Sequence, residues 1–380
     1  MEVSRDMQIQ APKVPHLVIL PIPFQGHINP MLQLATLLHS KGFSITIIHT
    51  DYNSPNPSNY PNFNFEPLPV GLSDGQVRTK DLVTILCILN DSCQAPFHDR
   101  LSRLLLDGPV TCIITDELFY FTKAVADQLK LPRILLGTSS ATFATTMASL
   151  KLLRQNGLLS ITVGPLYKFS PGSSNSLLTQ DYSCMAWLDK QAQQTVIYVS
   201  FGSSASFDKR DVVEIAWGLA NSNQPFLWVV RPGSIHGHDW VELPKGFEEK
   251  TREKGHIVKW APQQEVLAHP SVGGFWTHNG WNSTLESICE GVPMLCCPYL
   301  LDQNVHARYV SHVWRVGMQL ENGFDRSEIE WAVRKLMVEI EGKEMRECVG
   351  ALKENAMRCM AKGGSSYESL ESLIHLIMSL

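Results

Sequence analysis

The sequence holds no C-x-x-C pair and no Cys/His cluster at zinc-ligand spacing. Its nine cysteines are scattered, with only Cys296 and Cys297 adjacent. An odd count in a long chain argues against a disulfide framework and for a reducing compartment. A basic field is also missing: 32 Lys and Arg stand against 37 Asp and Glu, a net charge of −5. Without surplus cations nothing neutralises a polyanion, which excludes nucleic-acid binding by bulk electrostatics. No apolar run reaches the roughly 20 residues needed to cross a bilayer. The opening stretch Met1 to Pro15 carries no apolar h-region. Neither membrane insertion nor a signal peptide is therefore expected, and the expected location is cytoplasmic. No G-x-G-x-x-G follows the first apolar strand and no G-x-S-x-G elbow occurs, so neither a dinucleotide site nor an α/β-hydrolase is supported.

What is present is an ordinary globular composition, 44% hydrophobic and 18% charged, in 380 residues. That length exceeds what one hydrophobic core usually serves and predicts two domains. Short apolar runs alternate with helical patterns. His16–Leu20 reads as a buried strand, a loop follows, and Asn29 to Ser40 reads as an amphipathic helix. The beat recurs at Phe43–His49, Val110–Thr115, Arg133–Gly137, Thr195–Phe201, Pro225–Val230, Val272–Thr277 and Pro293–Cys297. Strands separated by helices predict the α/β class with parallel sheets. A linker-like run, Ser170-Pro171-Gly172-Ser173-Ser174-Asn175-Ser176, divides the series. The expected organisation is a domain over 1–168, a linker over 169–183, a second domain over 184–362 and a helix over 363–380. Two facing α/β domains with a cleft between them is the simplest arrangement. His236-x-His238 sits in a Gly-rich loop with no thiolate or carboxylate in ligand spacing beyond Asp239, which fits a solvated loop better than a metal site.

One segment carries chemistry. The strand Val272–Thr277 runs into His278-Asn279-Gly280, and a helix then starts near Trp281. Gly280 permits a tight turn and a close backbone approach. The free N–H groups and positive dipole end of the helix form an anion site. His278, Asn282 and Ser283 sit where they can donate to phosphate oxygens. Glu286, one turn on, faces the same side and can accept from ribose hydroxyls. Trp260 offers a flat face for a base.

From Trp260-Ala261-Pro262-Gln263 through His278-Asn279-Gly280-Trp281-Asn282-Ser283-Thr284-Leu285-Glu286 to Asp302-Gln303, the segment spans 44 positions. In order, spacing and length it resembles the signature box of plant secondary-product glycosyltransferases, the plant family-1 UDP-glycosyltransferases. The resemblance implies the GT-B fold, two facing Rossmann-like domains, with UDP-glucose as donor. It implies that Trp260 stacks on uracil and the Ala261 backbone hydrogen-bonds it. Gln263 and Glu286 then hold the ribose, and His278, Asn282 and Ser283 the diphosphate. Trp281, Asp302 and Gln303 contact the sugar, and Ser203 adds a phosphate contact. Asp302 belongs to the sugar and no Asp-x-Asp stands beside the diphosphate site, so no metal or other cofactor is expected.

The loop Pro21 to Pro30 after the first strand places His27 at the carboxyl edge of the front sheet, where a neutral imidazole can take a proton near neutral pH. Asp116, at the end of another strand, is the candidate partner. By resemblance these are the catalytic base and its Asp, and Thr138 lies near the sugar. The implied reaction is an inverting transfer of glucose to a hydroxyl, carboxyl or amine of a small apolar plant metabolite such as a flavonol, cytokinin or terpenoid. One departure stands out. After Leu152 to Ser160 the family continues for several dozen residues, but here Ser160 runs directly into Ile161-Thr162-Val163-Gly164-Pro165-Leu166, which reads as the strand that closes the front domain. This is an internal deletion in the acceptor-binding half. It leaves as the alternative a UDP-sugar-binding relative with impaired transfer.

Overall fold

The computed structural model describes residues 14–70, 82–141, 143, 162–170, 176–235, 243–300, 302–321 and 323–380. The junction at Ser160–Ile161, the His236-x-His238 loop and residues 171–175 of the expected linker lie outside them. The chain forms two compact units.

The first unit runs to Gly137 and takes in Leu166–Leu177 and Glu371–Leu380. It is built on five parallel strands, β1 (His16–Leu20), β2 (Ser44–Thr50), β3 (Asn64–Leu68), β4 (Cys112–Asp116) and β5 (Arg133–Leu136), in the order β3-β2-β1-β4-β5. Helices α1 (Gln25–Ser40), α2 (Leu82–Asp107) and α3 (Thr122–Leu129) connect them, and α4 (Leu166–Phe169) is a single turn. All five residues of β4 and the last four of β1 are buried. Burial on both faces is why these strands read as continuous apolar runs rather than alternating ones. Val18, Leu20, Ile113, Phe97, Phe119 and Phe121 share one core.

The second unit holds Thr138–Pro165 and Leu178–Leu370. Its six parallel strands are β6 (Val196–Ser200), β7 (Phe226–Val229), β8 (Gly255–Val258), β9 (Val272–Thr277), β10 (Met294–Cys296) and β11 (Gly317–Gln319), in the order β11-β10-β9-β6-β7-β8. Around them run α5 (Ser183–Leu188), α6 (Lys209–Ser222), α7 (Phe247–Thr251), α8 (Gln263–Ala268), α9 (Trp281–Glu290), α10 (Gln303–Arg308), α11 (Arg326–Met337) and α12 (Ile340–Met360). One core gathers Ile197, Val199, Trp276 and Leu295, and another gathers Val196, Tyr198, Phe275 and Met294. Successive residues of one strand thus enter opposite cores, the period of two that a strand imposes. Glu214 of α6 ties down α11: its Oε2 accepts from the Arg326 backbone N at 3.0 Å and from Arg326 Nε at 2.8 Å. The guanidinium hydrogen bonds hold the Glu214 carboxyl well below its ordinary value, at about 2. The last helix, α13 (Ser365–Met378), buries Leu373, Ile374 and Ile377, and its Glu371 meets Lys41 of α1 at 2.8 Å.

Several expectations need correction. Thr138–Pro165 groups with the second unit rather than with residues 1–137, because Ser139 and Ser140 bond to Asp302 and His306. The stretch Thr162–Pro165 forms no strand, and Leu166 opens a helical turn instead. Pro165 has no N–H to give a ladder. Three strands, β3, β8 and β11, had no sequence signal strong enough to find. Their residues are mostly half-buried, and β8 and β3 carry charged or polar side chains among the apolar ones. Helix α1 starts at Gln25 rather than Asn29, so His27 stands on a helical first turn and not on a loop. Pro30 lies inside the helix.

Candidate active site

Both units keep their polar clusters where the strand order reverses. In the first sheet the chain steps outward from β1 through β2 to β3, then returns to the other side of β1 with β4 and β5. In the second it steps from β6 to β8, then returns beside β6 with β9. At such a switch point neighbouring connections leave the sheet in opposite directions and open a crevice at the carboxyl ends of the strands. His27 and Asp116 flank the first crevice. Ser203, after β6, and His278, after β9, flank the second.

The turn after β9 places His278. Asn279 takes the left-handed conformation, φ 60°, while Gly280 has φ −55° and ψ 144°. The tight turn therefore belongs to Asn279, correcting the role expected of Gly280. Gly280 serves close approach: a Cβ there would lie 2.6 Å from His278 Nε2, and one on Gly202 would lie 2.6 Å from Cε1 of the same ring. The imidazole is clamped between two bare backbones. Its Nδ1 is buried without a hydrogen-bond partner. Although part of the residue still meets solvent, burial pushes its proton affinity down to about 4, against the opposing pull of Asp302. His278 is neutral at pH 7 and keeps one N–H to donate.

Helix α9 begins at Trp281 beside this ring, with no side chain capping its first N–H groups. Those groups and the dipole end favour an anion. Farther along α9, Glu286 is nearly buried. Its Oε2 accepts from Gln263 Nε2 at 2.7 Å and its Oε1 from Gln264 Nε2 at 2.9 Å. Gln263 Nε2 also reaches Ser283 Oγ at 2.9 Å, and its Oε1 accepts from the Tyr198 hydroxyl at 3.3 Å. Gln263, Ser283 and Glu286 are thus one network, drawn from α8 and α9. Trp260 packs half-buried against the core, its carbonyl accepting from Asp181 N at 2.8 Å, and Ala261 is buried next to it.

A second network joins α10 to the segment after β5. Asp302 Oδ2 accepts from Ser139 Oγ at 2.5 Å. Gln303 Oε1 accepts from the backbone N of Tyr299 and of Leu300, both at 2.8 Å. That commits its oxygen and leaves the amide NH2 for a ligand. Trp281 lies against His306, ring centroids 4.9 Å apart. Thr138 immediately precedes Ser139. Asn282 occupies the first turn of α9, and Ser203 the turn after β6, both half-buried. All twelve residues expected to bind UDP-sugar lie in the second unit.

In the first unit, His27 Nδ1 stands 2.7 Å from Asp116 Oδ2. Asp116 is fully buried, and its other oxygen accepts from Leu118 N at 3.0 Å. Asn90, buried on α2, donates to the Leu118 carbonyl at 3.0 Å and so braces the same turn. With Nδ1 committed to a carboxylate, Nε2 is the nitrogen that accepts a proton. Sequence reasoning missed Ser139, Ser140, His306 and Gln264. His306 is detectable in principle, since it stands one helical turn beyond Asp302 and Gln303. The serines carry no pattern. Among the described residues no group of three His, Cys, Asp or Glu side chains stands in metal-holding geometry, and no helix is long and apolar enough to cross a membrane.

Two parallel α/β sheets, each with a polar cluster at its own switch point, define a two-sheet α/β protein. The chain belongs to the UDP-glucoronosyl and UDP-glucosyl transferase family, whose profile matches residues 113–358. It is similar to UDP-glycosyltransferase 76B1 of Arabidopsis thaliana, 42% identical over 440 residues that take in 96% of this chain and 98% of the relative. Flavonol 3-O-glucosyltransferase UGT76E12 of the same plant is 39% identical over 445 residues, covering 96% and 97%. The structure of Phytolacca americana UGT2 complexed with UDP-2fluoro-glucose and pterostilbene matches with a TM-score of 0.78 at 27% identity, over 95% of this chain and 99% of that one. The fold is GT-B, and the protein is a UDP-sugar glycosyltransferase of plant small metabolites, EC 2.4.1.-. A match over 440 residues outruns the 380 of this chain, so at least 60 of its positions have no residue here. With 98% of the relative taken in, that shortfall is internal.

Proposed function

We propose that the protein transfers glucose from UDP-glucose, with inversion at the anomeric carbon, to a hydroxyl, carboxyl or amine of a small apolar plant metabolite of the flavonol, cytokinin or terpenoid kind. The observation that carries the catalytic part is the 2.7 Å contact between His27 Nδ1 and the fully buried Asp116. A buried carboxylate on Nδ1 fixes the imidazole tautomer and stabilises the imidazolium that forms. His27 Nε2 takes the proton from the acceptor oxygen as that oxygen bonds to the anomeric carbon. The bond from that carbon to the diphosphate oxygen breaks, and UDP leaves with the electron pair. Its growing charge meets the N-terminus of α9, the His278 N–H, Asn282, Ser283 and Ser203. This is positioning plus electrostatic stabilisation of the leaving group. Trp260 stacks the uracil, the Ala261 backbone bonds it, and Gln263 and Glu286 take the ribose. Trp281, Asp302, Gln303 and Thr138 take the sugar. The flavonol named for UGT76E12 and the pterostilbene complexed with UGT2 support the apolar acceptor class.

A second reading, a UDP-sugar-binding relative with impaired transfer, is favoured by the internal shortfall. Acceptor-dependent UDP release from UDP-glucose, against a mixed panel of flavonols, cytokinins and hydroxylated terpenoids, separates the two. Release that vanishes in His27→Ala supports transfer. A folded protein that binds UDP in calorimetry yet releases none with any acceptor supports the second reading.

A further inference from the structure

His306 is almost completely buried on α10, yet both ring nitrogens are used. Nδ1 lies 3.0 Å from the Asn279 carbonyl, which can only accept, so Nδ1 carries the proton. Nε2 is then a lone pair and accepts from the Ser140 hydroxyl at 3.0 Å. The Ser140 oxygen in turn accepts from Phe143 N at 3.1 Å, which leaves its own hydrogen for His306. Every donor and acceptor in this chain has one consistent assignment, and the imidazole is neutral. Burial pushes its proton affinity down, against Asp302, whose Oδ2 stands 3.8 Å from Nε2, and against the hydrogen bond to the Asn279 carbonyl. A charged ring would turn an N–H on Ser140 and draw Asp302 away from Ser139.

The three groups that His306 touches belong to two separate pieces of backbone, the 279–281 turn and the segment at Ser140. Asn279 is the left-handed residue of the turn that carries His278. Trp281 opens α9, and its ring lies 4.9 Å from that of His306. Ser140 follows Ser139, which holds Asp302 Oδ2. Oδ1 of Asp302 is left as the acceptor for a sugar hydroxyl. We infer that His306 is a positioning residue for the donor sugar, fixing Trp281, Asp302 and the Asn279 turn in one arrangement. The inference rests on the proposed reading of Trp281 and Asp302 as sugar contacts. His306 touches neither uracil nor ribose residues, so its effect falls on the sugar and spares the nucleotide.

The test is calorimetric binding of UDP and of UDP-glucose, without acceptor, to the wild type, His306→Phe, His306→Asn and Ser140→Ala. Phenylalanine keeps the ring volume and the contact with Trp281 but removes both hydrogen bonds. It is expected to weaken UDP-glucose about tenfold relative to UDP, the scale of leaving buried polar partners unmade. Ser140→Ala shifts the ratio the same way by about threefold, because one bond is lost. Asparagine retains a donor near the Nδ1 position and recovers most of the ratio, which a purely volume-filling role would not allow. An unchanged ratio in His306→Phe and Ser140→Ala overturns the inference, as does a parallel loss of UDP and UDP-glucose. If His306→Phe does not fold, Ser140→Ala decides alone. A wild type that binds no UDP, or binds UDP-glucose no differently from UDP, refutes the proposed donor site instead.

Discussion

Exchanging Asp116 for asparagine alters one atom of a fully buried side chain. The carboxylate now accepts twice, from Leu118 N at 3.0 Å and from His27 Nδ1 at 2.7 Å. Asparagine has one acceptor oxygen. If it faces Leu118, the amide NH2 faces His27, Nδ1 must become the lone pair, and the proton moves to Nε2, the nitrogen meant to receive one. If it faces His27, two N–H donors confront each other without water, at a cost of about 1–3 kcal/mol. Either way the imidazolium formed during transfer loses its counter-charge. Unit charges about 4 Å apart at an effective dielectric near 20 attract by about 4 kcal/mol, which corresponds to roughly a thousandfold in rate. Acceptor-dependent UDP release should show kcat for Asp116→Asn down by about 10³-fold, with the UDP dissociation constant unchanged and the thermal midpoint close to wild type. A kcat within tenfold of wild type would refute the pairing as the device that prepares His27.

Two further outcomes follow from the clamped imidazole. Gly280→Ala puts a Cβ 2.6 Å from His278 Nε2 at a backbone conformation any residue accepts, and Gly202 blocks the ring's retreat. The displaced ring should cost UDP about tenfold in affinity, the lower end of an overpacking penalty, and calorimetry that finds full affinity rejects the clamp. His278 binds its proton near 4 when folded against 6.5 ordinarily. Its contribution is therefore complete above pH 6.5 and drains as pH falls through 4, by up to about 3 kcal/mol. His278→Gln should flatten the fall of the thermal midpoint across that window, and an unaltered slope contradicts the assignment.

Much of the fold was legible because buried parallel strands are nearly pure apolar runs. The span expected for β1 and for β9 is the span observed. Edge strands β3, β8 and β11 were not legible, since half-exposed strands admit polar residues and blur the period. The start of α1 was not legible, because its first turn, Gln25-Gly26-His27-Ile28, carries no capping side chain and no apolar period. At the site, Gln263, Ser283 and Glu286, singled out by spacing, meet in one network. Their supports were not. Gln264 beside Glu286, or Ser140 beside His306, acts through hydrogen bonds between segments more than 20 residues apart, and no local pattern encodes such a meeting.

The shortfall of residues leaves the strands that carry the His27–Asp116 pair intact. The expected UDP-sugar residues all belong to the second unit, whereas His27 and Asp116 belong to the first. Within the first sheet, the absent segment would follow β5 in the chain, and β5 is an edge strand whose Ile134, Leu135 and Leu136 are only half-buried. The strands that carry the His27–Asp116 pair lie further in. Strand β1 keeps β2 and β4 as neighbours, and β4 keeps β1 and β5. Their ladders are complete, so the shortening removes no hydrogen-bonded neighbour from either. The turn that aims Asp116 is held by Leu118 N and Asn90 from α2, both upstream of the break. The His27–Asp116 pair thus keeps its hydrogen-bonded supports. The step exposed to the shortening is recognition of the acceptor, because by resemblance that half supplies the acceptor-pocket walls.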